Sequence, residues 1–134
     1  MRFLVDTNIL ISAALFPGGK VAYVLSHILE SHSIVIASYS LSECRTVFDR
    51  KFPDKKPVLA AFLEETEFEL YETPAKIANT DFPYIRDEKD LPILASAILG
   101  EVDILLTGDK DFQNIPLKEP LIFTPSEYFD LIKE

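Results

Sequence analysis

The chain has 134 residues, 48% apolar and 26% charged, the composition of an ordinary globular domain long enough to bury a core without disulfides or a structural metal. Its 22 acidic and 13 basic side chains give a net charge of −9, which excludes the broad basic face of a typical nucleic-acid binder unless cations neutralise some acids locally. A lone cysteine, Cys44, excludes an internal disulfide framework and a Cys/His zinc pattern; it reads as a buried thiol in a reducing, cytoplasmic setting.

Phe3 to Asp6 predicts a short buried strand that ends on an acid. Arg2 ahead of apolar residues imitates a signal peptide, but Asp6 and Asn8 interrupt the run early, and no stretch approaches the length of a membrane span. No membrane association is expected. Asn8 to Leu15 predicts the start of a helix, broken by Pro17-Gly18-Gly19, and Val21 to Ser31 has helical spacing of Val21, Val24, Leu25, Ile28 and Leu29. Ser33 to Ala37 is a second apolar strand, and Tyr39 to Phe52 a helix with Leu41, Cys44, Val47 and Phe48 spaced for burial. Lys56 to Glu67 is a helix with Pro57 in its first turn, and Phe68 to Glu72 alternates like a strand. Leu91 to Leu99 is an apolar helix ending at Gly100; Asp103 to Thr107 and Leu121 to Phe123 are strands, and Ser126 to Ile132 closes with a helix. Repeats and linker-like stretches are absent, so residues 1–134 read as one domain. Strands alternate with helices, which predicts an α/β fold with a parallel sheet, buried by helices on both faces.

Ligands of such folds lie beyond the carboxyl ends of the strands. The first strand ends in Asp6-Thr7-Asn8 and the fourth in Thr107-Gly108-Asp109-Lys110-Asp111. The second runs into a helix with Glu43 about one turn in, and Asp87 and Asp90 stand just before the Leu91 helix. Four segments therefore aim carboxylates at one rim. Clustered carboxylates repel and raise one another's pKa, and a hard divalent cation removes that conflict. A carboxylate-held Mg²⁺ or Mn²⁺ suits hydrolysis of a phosphodiester.

Each acid also has a local alternative. Asp6 can cap the first helix, although its position favours a functional role. Glu43 completes Ser40-x-x-Glu43, the pattern of a capping box, and Asp90 can cap the Leu91-Pro92 helix. Asp109 and Asp111 occupy a glycine-containing turn, where aspartate is common. Asn8 can fix Asp6 or a metal water, and Thr107 can donate to phosphate or water; helix capping and turn chemistry are equally good readings of both.

The motifs FLVDTNILIS, ASYSLSE, RDEKDLPILASAI and LLTGDKDF, in that order, resemble those of PIN-domain proteins, the group that includes VapC-type ribonuclease toxins. The resemblance covers most of the chain. It implies a three-layer α/β/α sandwich around a mainly parallel sheet and Mg²⁺- or Mn²⁺-dependent cleavage of RNA. Carried over by motif, Asp6, Glu43, Asp90 and Asp109 match the four family acids and are expected to bind metal and activate water. Asp87 and Asp111 are expected as auxiliary acids, with Asp87 the alternative to Asp90 as the third acid. The resemblance further implies an antitoxin partner and a homodimer or higher homo-oligomer. Arg45, Arg50, Lys51, Arg86, Lys89 and Lys110 are candidate cations for RNA, each more ordinarily a solvated surface charge.

Three other readings compete. An aspartyl phosphatase needs a second aspartate where Asn8 stands, and a receiver-like phosphate- or metal-binding module needs an acidic pair ahead of Asp6, which RFLVDTN lacks. A PIN fold without catalysis is opposed by the full set of four acids. No histidine stands in a matching motif, which leaves a two-histidine acid–base scheme unsupported.

Overall fold

The structure, a computed structural model, describes residues 1–133. Five strands, β1 (Arg2–Val5), β2 (Ser33–Ala37), β3 (Glu69–Tyr71), β4 (Ile104–Leu106) and β5 (Leu121–Phe123), form one sheet in the order β3-β2-β1-β4-β5, with every neighbouring pair parallel. Six α-helices join them: α1 (Thr7–Leu15), α2 (Lys20–Ser31), α3 (Ser38–Lys51), α4 (Lys56–Glu65), α5 (Leu91–Leu99) and α6 (Pro125–Ile132).

The alternation of side chains along each strand divides the core in two. Phe3, Val5, Ile34, Ile36, Ile104 and Leu106 face one layer, where Leu10, Ile28, Phe48, Leu59 and Tyr128 of the helices pack. Leu4, Val35, Ala37 and Leu105 face the other, against Ile93, Leu94 and Ala97 of α5 and the loop residues Ile85 and Phe112. The result is the three-layer α/β/α sandwich expected, with a crowded first face and a second face built on one helix and two loop plugs. Only β1, β2 and β4 are buried on both faces. The strands β3 and β5 lie at the edges and are partly exposed, in contrast to the uniformly buried strands that the sequence suggests.

Several boundaries differ from those predicted. Helix α1 begins at Thr7, because Asp6 caps it, and α4 stops at Glu65, where Thr66 turns extended. Helix α3 begins at Ser38, directly after the strand, with Ala37 as its N-cap and no side-chain cap. Ser40 therefore lies inside the helix, fully buried, and the Ser40–Glu43 capping box is not formed; Thr124 and Glu127 form one instead at the start of α6. At the end of α5 Gly100 is required for space. A Cβ there would meet the Ser96 carbonyl oxygen at 2.6 Å and the Tyr71 ring at 3.2 Å, while the left-handed residue is Glu101, at φ 52°. Among the described residues, no single helix is long and apolar enough to cross a membrane.

The chain leaves β1 toward β2 and β3 on one side and returns to β4 on the other. The strand order therefore reverses between β1 and β4, a topological switch point that opens a crevice at their carboxyl ends.

Candidate metal centre

Register brings the first two polar groups together. Val5 pairs with Leu106, so the residues that follow, Asp6 and Thr107, leave the sheet side by side. The Asp6 backbone N–H donates to the Leu106 carbonyl at 3.2 Å, and that of Thr107 to Phe123 at 2.9 Å. The Asp6 carboxylate is buried, and each of its oxygens accepts one hydrogen bond. Its Oδ1 accepts the Ile9 N–H at 3.1 Å, and its Oδ2 accepts the Thr107 hydroxyl. Burial pushes its pKa up, opposed by these hydrogen bonds, and the charge of Asp109 raises it further. The capping and functional readings of Asp6 thus coexist in one side chain. Asn8 is exposed, and it supports Asp6 through its backbone N–H.

Thr107 is fully buried and serves both sides of the crevice. Besides donating to Asp6, its Oγ1 accepts the Asp109 N–H at 3.0 Å. Asp109 in turn accepts the Asp111 N–H at 2.9 Å, so a chain of polar contacts runs from the end of β1 to the turn after β4.

Glu43 arrives from α3. Its Oε1 accepts the Thr7 hydroxyl at 2.7 Å, and its Oε2 accepts Tyr39 Oη at 3.2 Å. Tyr39 also lies 3.0 Å from the Lys89 carbonyl, which ties α3 to the 3₁₀ turn Glu88–Asp90. Tyr39 is a site residue that motif reasoning misses; the available signal is its i,i+4 spacing to Glu43, which places both on one helix face. Cys44 beside Glu43 is buried, and burial first, then the charges of Glu43 and Asp6, pushes its thiol up to about 12; it is no nucleophile.

The tightest grouping is Asp87, Asp90 and Asp111, which offer one oxygen each within 4.8 Å of one another. Asp6, Glu43 and Asp109 are not part of this trio; Asp109 acts on both Asp90 and Asp6 through its charge, and Glu43 is linked to the Glu88–Asp90 turn through Tyr39. Asp87 caps the 3₁₀ turn by accepting the Lys89 N–H at 3.0 Å. Asp90 stands where a helix cap belongs but makes no capping bond, so that reading of it fails. Its Oδ2 is buried without a hydrogen-bond partner among the described residues. Burial, then the charge of Asp109 and a hydrogen bond to Asp109 open only to the protonated acid, push Asp90 up to about 7; Asp87 and Asp111 add to the effect. Arg86 is not a free surface charge. Its Nε and Nη2 donate to the two oxygens of Asp111, each at 2.9 Å.

A buried, unpartnered carboxylate oxygen amid like charges is the local chemistry that a hard divalent cation satisfies, so these residues fit a divalent metal ion.

The model of the family described as PIN domain matches residues 2–111. One chain in the crystal structure of VapBC2 from Rickettsia felis bound to a DNA fragment from their promoter superposes with a TM-score of 0.72 at 22% sequence identity, over 92% of this chain and 98% of that chain. A search of curated proteins finds no match. With the motif order of the sequence, the switch-point crevice and a family match that spans all six acids, the chain belongs to the PIN-domain family.

Proposed function

We propose that the protein is a divalent-metal-dependent endoribonuclease whose site is the acid cluster at the carboxyl ends of β1 and β4. PIN-domain proteins are typically nucleases. The observation that carries the reading is Asp90, whose buried Oδ2 has no hydrogen-bond partner among the described residues and whose proton is held up to about 7 by burial first and then by the acids around it. A protein that keeps this conflict in its crevice gives up stability there, as functional sites do.

Asp87, Asp90 and Asp111 would hold the ion, with Asp6, Glu43 and Asp109 as the surrounding acids that bind it directly or through water. A bound Mg²⁺ or Mn²⁺ lowers the pKa of water and draws charge from a scissile phosphate. The chain's own part is positioning. Thr107 and the Ile9 N–H fix both oxygens of Asp6, Thr7 and Tyr39 fix those of Glu43, and the turn N–H groups orient Asp87 and Asp109. The proton that burial and the neighbouring acids hold on the Asp90 carboxyl group would compete with a cation there, so cation affinity is expected to fall as pH drops below about 7. Hydrolysis then adds water across one P–O bond, leaving one phosphate end and one hydroxyl end.

The test is incubation with labelled RNA in Mg²⁺ or Mn²⁺ and then in excess EDTA. Cleavage is expected with either ion, and chelation is expected to reduce it at least about 100-fold. Undiminished cleavage in EDTA would sink the reading.

The likeness in shape to a chain of the VapBC2 assembly supports a second proposal, that the protein is the toxin of a toxin–antitoxin pair, acting in the cytoplasm as a homodimer or higher homo-oligomer until an antitoxin chain covers it. Expression of the chain alone in a bacterial host is then expected to arrest growth, and co-expression of a small reading frame adjoining its gene to restore it. Normal growth with abundant folded protein would overturn this proposal and leave the nuclease reading to the RNA assay.

A further inference from the structure

We propose that Tyr84 and Arg86 form an RNA subsite beside the acid cluster, in which Arg86 binds a backbone phosphate and the Tyr84 ring stacks on a base of the same single strand. The inference rests on the nuclease reading and specifies how a chain of net charge −9 holds a polyanion.

Arg86 approaches Asp111 side-on. Nε and Nη2 are spent on the carboxylate, and Nη1 has no protein partner among the described residues. The pair is asymmetric. The guanidinium side chain is 75% exposed, whereas that of Asp111 is 17% exposed and turned into the cluster. The carboxylate therefore anchors a cation that faces solvent at the edge of the acids, with its remaining N–H groups pointing nowhere in the protein. Pre-positioning of this kind lowers the entropy lost when a planar guanidinium takes a phosphate oxygen. The other ion pairs of the described residues, Arg2–Glu69, Lys56–Asp49 and Lys133–Asp130, involve none of the clustered acids.

Tyr84 lies two residues away. Ile85 between them is buried in the core, which turns both neighbours outward. Tyr84 is 82% exposed, an unusual state for an aromatic ring, and it lines a cavity of about 280 Å³ together with Arg86 and Asn79. An exposed ring next to a fixed cation is the pairing that binds single strands, because every base has a face to stack and every nucleotide a phosphate.

The experiment measures binding of a short fluorescein-labelled single-stranded RNA of mixed sequence by anisotropy, with Ca²⁺ as the cation, over a series of KCl concentrations. Mn²⁺ affinity of each variant is measured by calorimetry alongside. Arg86→Gln is expected to bind RNA about 10-fold more weakly and to reduce the slope of log K against log salt by about 0.7, the loss of one phosphate contact on a single strand. Tyr84→Ser is expected to lose about 10-fold with the slope unchanged, and Arg86→Lys to retain the slope. Mn²⁺ affinity is expected to stay within about 3-fold in Tyr84→Ser, which leaves Asp111 and its Arg86 partner in place. Wild-type protein that binds RNA with a salt slope identical to that of Arg86→Gln would overturn the subsite and leave the nuclease reading standing. So would a loss in Arg86→Gln matched by an equal loss of Mn²⁺ affinity, which would make Arg86 only a positioning residue for Asp111. Wild-type protein that neither binds nor cleaves RNA overturns both.

Discussion

Asp90→Asn is expected to abolish RNA cleavage, at least about 100-fold, and at the same time to stabilise the metal-free protein at neutral pH. The two effects have one cause. Asp90 is half-buried among Asp87, Asp109 and Asp111, and its carboxyl, ordinarily at 3.8, is pushed up to about 7. A fully buried acid displaced that far would cost the fold roughly 4 kcal/mol once ionised. Solvent screening at this open site reduces the figure to about 1–2 kcal/mol. The sign follows from proton binding. The folded chain holds the Asp90 proton more tightly than the unfolded chain, so between about pH 4 and 7 it binds more protons, and stability falls as pH rises through that window before levelling off. In EDTA, the melting temperature of the wild type is therefore expected to drop by about 3–8 °C from pH 5 to pH 8 relative to Asp90→Asn. With Mn²⁺ the order reverses. An ion at 100 times its dissociation constant stabilises the wild type by about 2.7 kcal/mol, and the variant gains little of this. Thermal melts at four pH values with and without Mn²⁺ measure both effects. A variant less stable than wild type in EDTA at pH 8 would mean that Asp90 does not strain the metal-free fold, and one equally stabilised by Mn²⁺ that Asp90 does not hold the ion.

The stretches most legible in the sequence are those whose signal is local. The apolar runs at Phe3–Val5, Ser33–Ala37 and Leu121–Phe123 are strands because nothing polar interrupts them, and Leu91–Leu99 is a helix between Asp90 and Gly100. The convergence of acids follows from the alternation of elements, since a parallel sheet sends every strand end to one rim. What stays hidden depends on distances between segments. Ser40-x-x-Glu43 has the letters of a capping box, but α3 starts three residues earlier than that cap requires, because Ala37 leads straight from strand to helix. Asp87 and Asp111, which the sequence presents as auxiliary acids, form with Asp90 the tightest trio, because the 3₁₀ turn Glu88–Asp90 and the Gly108 turn fold toward each other. Arg86 reads as surface charge because its partner lies 25 residues on. Tyr39 makes its second contact 50 residues away, at the Lys89 carbonyl. Spacing along one chain cannot show either pairing.

Thr107→Val is expected to be the most damaging substitution at the site that leaves all six acids in place. The shape is nearly unchanged, but two hydrogen bonds vanish together. Asp6 Oδ2 loses its hydroxyl donor, and the Asp109 N–H loses its acceptor. Asp6 is 3% exposed and Thr107 fully buried, so water is poorly placed to replace either bond. A buried acceptor left bare costs about 1–3 kcal/mol, and the charged state of Asp6 raises the figure toward the upper end. Asp6 then escapes the cost by holding its proton to a still higher pH, since the Thr107 bond is the largest of the influences that hold its carboxyl down. With its support gone Asp6 is a poorer partner for a cation, and Mn²⁺ affinity at pH 7 is expected to fall about 10- to 100-fold, as it does when the supports of metal ligands are removed. Raising the pH is expected to recover part of the loss, which a merely misfolded site would not do. Thr107→Ser retains the hydroxyl and is expected to lie within about 1 kcal/mol of wild type, with Mn²⁺ affinity largely kept. Denaturant unfolding and calorimetry on the two variants test the claim. If valine and serine behave alike, the hydroxyl is packing and not support. If only valine fails, one buried threonine sets both the position and the charge of the acid that β1 delivers to the rim.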